Sequence, residues 1–500
     1  MGGQVTFRLD DPVPLPDDVH IWIPEGSASL DQCVHPETSR KPDYVHIAGL
    51  CDGASCANCD CLERAPSVEL PPIAAAKASD RQRFLAVSPK AATYAAFDMS
   101  FLPSFLLLRD GHSPRTVIEF HKELYGTDST SAHLKSFFET IVLRNMLNSA
   151  TTKEDLPDAR NLHLYVTNRC NLRCSHCYMS SGQPLPQGEI DTEQRLRAID
   201  LFSEVSPNSK VTLSGGEALT DPDIFVLIDH AKNRGHRVEL FSNGLLIRKQ
   251  NVQRIVNSVD QLQISIDGTD STSNDPIRGK GSFDRIVAAI KLVDRADRSA
   301  NPNFFYRIGM TLTRSNYENI ETNLVGFLGA LELQSPHRIS IAVVSGIGRA
   351  GERPEISADV DDLPLIQARI MKSLINQGRV KWPSFTVNRY SKSCGIGMSI
   401  AVAADGRIYP CSVTEQPAIG AVGDADAKAA MERVGQYTEE FNVDRVSGCS
   451  TCSLRYFCQG KCRVANLHST GSMARSTCTS KFKAARARSL MANFDSFVAH

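Results

Sequence analysis

The chain has 500 residues, with 55 Lys and Arg against 56 Asp and Glu and a formal net charge of −1 at pH 7. So even a balance leaves no electrostatic footprint for a nucleic-acid partner, and the length suggests roughly three or four domains. The N-terminus, Thr6-Phe-Arg-Leu-Asp-Asp-Pro12, lacks the basic and apolar regions of a signal peptide. Apolar runs such as Phe105-Leu-Leu-Leu108 fall far short of a membrane span, so no membrane partner is expected. Fifteen cysteines gathered into motifs indicate metal or iron–sulfur ligation in a reducing cytoplasm rather than disulfides.

Residues 1–66 are rich in Pro, Asp and Gly and carry Cys33, Cys51, Cys56, Cys59 and Cys61. The C-x4-C-x2-C order matches the first three ligands of a plant-type [2Fe–2S] loop. The fourth ligand would be Cys61 or Cys33. A bound metal or cluster and reduced loop thiols both stay open, and the spacing does not separate zinc from iron–sulfur.

Residues 67–150 form a second unit. Arg83–Ser88 and Thr93–Phe97 read as two short strands. Ser113-Pro114 opens a helix with Val117, Phe120, His121 and Leu124 on one face and Gly126 at its end. A second helix sets Leu134, Phe137, Phe138 and Ile141 at the same spacing. This pattern resembles the PqqD-like recognition element of ribosomal peptide maturases, a small winged-helix fold. The resemblance implies a precursor-peptide partner that docks as an added strand. A helical packing domain without a ligand is the alternative.

Residues 151–350 contain the stretch on which the reading turns. Leu162–Asn168 reads as a buried strand, and Cys170, Cys174 and Cys177 follow it as C-x3-C-x2-C. Three thiolates are one short of the four that usually hold a [4Fe–4S] cube, and a zinc site would want four ligands in C-x2-C pairs. The triplet resembles that of the radical S-adenosylmethionine (SAM) superfamily. There the methionyl group of SAM chelates the open iron, and one electron yields a 5′-deoxyadenosyl radical. Strands over 210–214, 237–241, 261–266, 304–312 and 338–344 alternate with helices over 193–205, 224–234, 283–296 and 319–331. Such repetition gives parallel strands, right-handed crossovers and sites at the strand C-termini.

The family resemblance implies a partial (β/α)6 TIM-like barrel of α/β class. It also implies SAM contacts from Tyr178 after the last cysteine and from Gly215, Gly216 and Glu217 of the GGE motif. Ser242 and Asn243 would line the pocket, Ser265 and Asp267 would meet ribose and methionine, and Arg278 would fork onto the SAM carboxylate. Gly346-Ile-Gly-Arg-Ala350 resembles the closing GRA motif of related barrels, without the usual proline before it.

A linker helix is expected in 351–387. Residues 388–500 then place Cys394, Cys411, Cys449, Cys452, Cys458, Cys462 and Cys478 at the spacing of the SPASM domain, an auxiliary-cluster extension of radical SAM enzymes. The resemblance implies a nearer [4Fe–4S] cluster on Cys394, Cys411 and Cys462 and an outer one on Cys449, Cys452, Cys458 and Cys478. No eighth cysteine lies between Cys394 and Cys411, which leaves the nearer cluster an open iron or a ligand from elsewhere. Residues 481–500 read as a basic capping helix.

The combined reading is a radical SAM/SPASM maturase acting on a ribosomally made peptide. Its outcome would be a thioether or C–C crosslink, epimerisation or oxidation, and an external flavodoxin- or ferredoxin-type donor would supply electrons. A small-molecule or tetrapyrrole oxidase of the same family is the alternative, and a non-catalytic iron–sulfur carrier is a third reading. No motif marks a general acid or base.

Overall fold

The structure is a computed structural model, and it describes residues 20–24, 44–47, 83–88, 93–109, 112–125, 130–143, 161–357, 363–376, 391–414 and 416–498. Cys33, Cys51, Cys56, Cys59 and Cys61 lie outside the described residues.

Six strands alternate with helices from Asn161 onward: β5 (Asn161–Thr167), β6 (Lys210–Gly215), β7 (Arg237–Ser242), β8 (Gln261–Ser265), β9 (Phe305–Leu312) and β10 (His337–Val343). All pair in parallel and in sequence order, which makes a partial barrel of α/β class. Alternation along each strand explains its two faces. Leu162, Leu164 and Val166 of β5 join the apolar layer beneath the helices, as do Leu262 and Ile264 of β8. His163, Tyr165 and Thr167 take the intervening positions on the opposite, inner face. The polar floor inside joins strands through Glu239, which takes Lys210 Nζ at 2.8 Å and Thr212 Oγ1 at 3.2 Å.

The helices carry their own start signals. Asp191 caps helix Thr192–Val205 through a full capping box with Gln194. Asp270 accepts from Ser273 N at 2.8 Å to open helix Ser271–Arg278. Helix Leu363–Asn376 lies within residues 351–387.

The barrel sheet does not stop at β5. Strand β11 (Ser399–Val402) pairs in parallel with β5, and β12 (Arg407–Tyr409) and β13 (Gly420–Ala421) extend it antiparallel. Nine strands thus run continuously from β10 to β13.

A separate four-stranded sheet has the order β2-β1-β3-β4, with β1 at His20–Pro24, β2 at Tyr44–Ile47, β3 at Arg83–Ser88 and β4 at Thr93–Asp98. Two strands from the N-terminal segment therefore continue the hairpin of the second unit. Helices Leu102–Arg109, Pro114–Tyr125 and Thr130–Leu143 cover it, and Phe84, Phe97, Phe105 and Phe137 pack their rings in its centre. The same core takes in Leu454, Ala484, Ala487, Leu490 and Met491, so helix Ser480–Val498 is a wall of this module. Tyr94 of β4 meets Phe457 edge-on at 5.3 Å. Among the described residues, no helix is long and apolar enough to cross a membrane.

Candidate active site

The loop after β5 leaves the C-terminal end of the barrel and carries Cys170, Cys174 and Cys177, all free thiols. Four neighbouring elements pin it. From β6, Gly216 N donates to Thr167 O and Glu217 N to Arg169 O, each at 2.9 Å. From β7, Asn243 Nδ2 donates to Asn171 Oδ1 at 2.7 Å. From helix Ser271–Arg278, Ile277 O accepts from Ser175 N at 2.9 Å. From the turn after β10, buried Arg349 donates through Nε to Cys174 O at 2.8 Å and through Nη1 to Ser181 O at 2.9 Å.

The two glycines of the GGE motif are required by this contact. At Gly215 φ is +141°, and a Cβ would lie 2.3 Å from Thr167 O. At Gly216 a Cβ would lie 2.2 Å from Arg169 O. Gly216→Ala is therefore expected to push the cysteine loop off the sheet and to cost more than the ~1–3 kcal/mol of ordinary overpacking. A denaturant titration beside an iron count checks it: a stable variant with undiminished iron would refute the close-approach argument. Gly348 plays the same part opposite, where a Cβ would lie 2.5 Å from the carbonyls of Cys177 and Tyr178.

Glu217 is 1% exposed. Its carboxylate accepts from Ser242 Oγ at 2.9 Å, Asn243 N at 2.7 Å and Leu219 N at 3.1 Å. Burial pushes this carboxyl up against the pull of those donors. The structure thus engages Glu217, Ser242 and Asn243 with one another, tying β6 and β7 beneath the loop. Ser265 ends β8 with its hydroxyl free of any partner among the described residues.

Asp267 and Arg278 form a buried pair, with Arg278 Nε at 2.6 Å from Asp267 Oδ2. His176, inside the cysteine triplet, brings Nε2 to the same oxygen at 2.6 Å, and Thr311 N donates to the other at 2.7 Å. Burial alone would raise the Asp267 carboxyl, but Arg278 and His176 hold it well below the usual carboxylate range. Both carboxylate oxygens are taken internally, while the two terminal nitrogens of Arg278 donate to no described residue. His176 was not singled out from sequence; its position between two cysteines was the available signal.

The seven C-terminal cysteines fall into two places. Cys449, Cys452, Cys458 and Cys478 line one cavity together with Lys483 and Arg486. Cys394, Cys411 and Cys462 are mutual electrostatic neighbours elsewhere.

The donor chemistry fits iron–sulfur clusters. Burial pushes Cys170 up to about 11 and both Cys411 and Cys478 up to about 12, with neighbouring thiols adding to each shift. Grouped buried thiolates are costly without a positive centre, and bound iron inverts that balance.

With this geometry, residues 164–321 match the Radical SAM superfamily. That stretch is a radical SAM domain, the part of the chain that takes SAM and a [4Fe–4S] cluster. The chain is 27% identical over 335 residues to the AdoMet-dependent heme synthase of Methanosarcina barkeri, covering 61% of this chain and 91% of that protein. It is 29% identical over 263 residues to the sporulation killing factor maturation protein SkfB of Bacillus subtilis, covering 51% of this chain and 60% of that protein. The solved structure of native anSMEcpe with bound AdoMet superposes with a TM-score of 0.51 at 15% identity, over 68% of this chain and 98% of that one. That likeness bears on the fold alone.

Proposed function

We propose that the protein is a cytoplasmic maturase of a ribosomally made peptide. The observation that carries this is the shared core: the strand-and-helix module of residues 83–143 is built together with the helix that follows the last C-terminal cysteine. Among the described residues no strand pairs with the outer edge of β4, which suits an extended peptide added by main-chain hydrogen bonds. SkfB, by its name, matures a sporulation killing factor.

Cys170, Cys174 and Cys177 would hold the SAM cluster. Cys394, Cys411 and Cys462 would hold the nearer auxiliary cluster, and Cys449, Cys452, Cys458 and Cys478 the outer one. When bound, the first cluster supplies the electron that cleaves SAM. The Arg278 fork receives the SAM carboxylate, Ser265 offers a hydroxyl to the ribose, and Gly215, Gly216 and the Tyr178 carbonyl give backbone contacts. Glu217, Ser242, Asn243 and Asp267 hold these groups in place. The barrel keeps the reacting C–H near and excludes water. A small flavodoxin- or ferredoxin-type protein would deliver electrons.

The test is anaerobic incubation of the reconstituted enzyme with SAM and a short peptide encoded beside its gene, read by mass spectrometry. A yield of 5′-deoxyadenosine that matches peptide conversion is expected, with the peptide lighter by hydrogen after a crosslink or oxidation and carrying solvent deuterium after epimerisation in D2O. An unchanged peptide, with conversion of a porphyrin substrate instead, would favour the second reading. That reading, a tetrapyrrole enzyme, is supported by the match over most of the Methanosarcina heme synthase.

A further inference from the structure

A bonded connection joins the first cysteine loop to the nearer auxiliary one. Tyr165 stands on the inner face of β5, is 1% exposed, and packs with Ala401, Ala403 and Tyr409. Its hydroxyl donates to the carbonyl oxygen of Ser412. The same hydroxyl lies 3.0 Å from that of Tyr178. A phenol has one proton to give, so Tyr178 is the donor in that second bond. Tyr178 follows Cys177 in the chain, and Ser412 follows Cys411. Met179, the residue after Tyr178, and Thr414, two residues past Ser412, also touch, with Oγ1 to Sδ at 3.8 Å.

The route therefore runs from Cys177 through Tyr178, across to Tyr165, across to Ser412 and into Cys411. It is covalent except for two hydrogen bonds, and no open gap interrupts it. Electron tunnelling through bonded atoms outpaces tunnelling across gaps, so this route couples the two loops electronically as well as mechanically. The arrangement also comes from long range. Tyr165 reaches Ser412 because β11 pairs with β5, which sets the C-terminal domain against the barrel.

We propose that Tyr165 is a positioning residue that couples the nearer auxiliary cluster to the SAM cluster, so that an electron held at Cys411 reaches Cys177. The inference rests on the ligand sets given under Proposed function. Its balance is simple. The auxiliary cube loses one electron and is oxidised, the SAM cube gains it and is reduced, and both phenols keep their protons. No bond forms or breaks along the route.

Tyr165→Phe removes the hydroxyl and keeps the ring. Tyr409→Phe, in the same buried cluster and off the route, is the matched control. Each reconstituted full-length protein is reduced with dithionite, freed of excess reductant, mixed with SAM and freeze-quenched. The auxiliary-cluster electron paramagnetic resonance signal is followed beside 5′-deoxyadenosine. In wild type and Tyr409→Phe, the auxiliary signal should decay as deoxyadenosine rises beyond the first equivalent. In Tyr165→Phe, iron content and the first equivalent should be unchanged and the auxiliary decay several-fold slower. Equal decay in all three proteins would overturn the proposal. Loss of iron from Tyr165→Phe would also overturn it, in favour of a mechanical staple between loops. No deoxyadenosine even from wild type would instead defeat the functional reading on which the inference rests.

Discussion

Replacing Cys170, Cys174 and Cys177 together with alanine should lower the iron count from about twelve to about eight per chain and abolish SAM cleavage, because each cube holds four irons. The loss should be confined to one site. The loop is held from outside the thiols, by Arg349 on the Cys174 and Ser181 carbonyls and by Asn243 on Asn171. The other seven described cysteines sit in separate places. The triple variant should therefore keep its fold by circular dichroism. A wild-type count well above twelve would place a further cluster on Cys51, Cys56, Cys59 and Cys61. A count near four would remove the auxiliary clusters from the mechanism.

Asp267→Asn should be the most damaging change away from the thiols. Removing one partner of a buried ion pair costs about 3–5 kcal/mol, because the other charge stays enclosed and uncompensated. Here that other charge is Arg278, whose side chain is 8% exposed, and His176 loses the same oxygen. Burial works to raise the Asp267 carboxyl, yet Arg278 and His176 leave it lower in the folded protein than in the unfolded chain. A carboxyl depressed by folding stabilises above its unfolded value of about 3.9, and that contribution is lost as pH falls further, through the folded value. The gap between wild type and Asp267→Asn in denaturant titrations should thus be full at pH 7 and close progressively below about pH 4. An equal gap at both ends would mean that Arg278 is compensated by another group. Iron content read in parallel should fall with stability, since His176 lies within the cysteine triplet.

The barrel was legible because each strand alternates and each helix keeps its period. Strands read at 210–214 and 237–241 are found at Lys210–Gly215 and Arg237–Ser242. Helix Leu102–Arg109 escaped notice because its sequence, LPSFLLLR, is apolar nearly all round and shows no face. Helix Ser271–Arg278 is rich in polar residues and contains Pro276, so its propensity argues against it, and the Asp270 cap outweighs that locally. The pairing of β11 with β5 joins residues more than 200 positions apart, and no local pattern encodes it.

At the site, motif positions were legible while partners were not. GGE was visible as a motif, but not that Glu217 is spent on Ser242, Asn243 and Leu219. GRA was visible at the barrel's end, but not that Arg349 grips the cysteine loop. Tyr165 looked like one more residue of an apolar strand. Its role depends on Ser412, which local spacing does not reach.

The helix Ser480–Val498 bears on how the N-terminal strand-and-helix module can be handled as a part. Its Ala484, Ala487, Leu490 and Met491 complete a core otherwise made by residues 84–141 together with Ile21 and Leu454. A fragment cut out at 67–150 for use as bait would leave that wall missing and present bare apolar surface, a recipe for self-association. Swapping the module into another enzyme would need the helix to travel with it, together with β1, which pairs with β3. The module is thus not a detachable cassette: a graft would have to bring pieces from both sides of the barrel sequence.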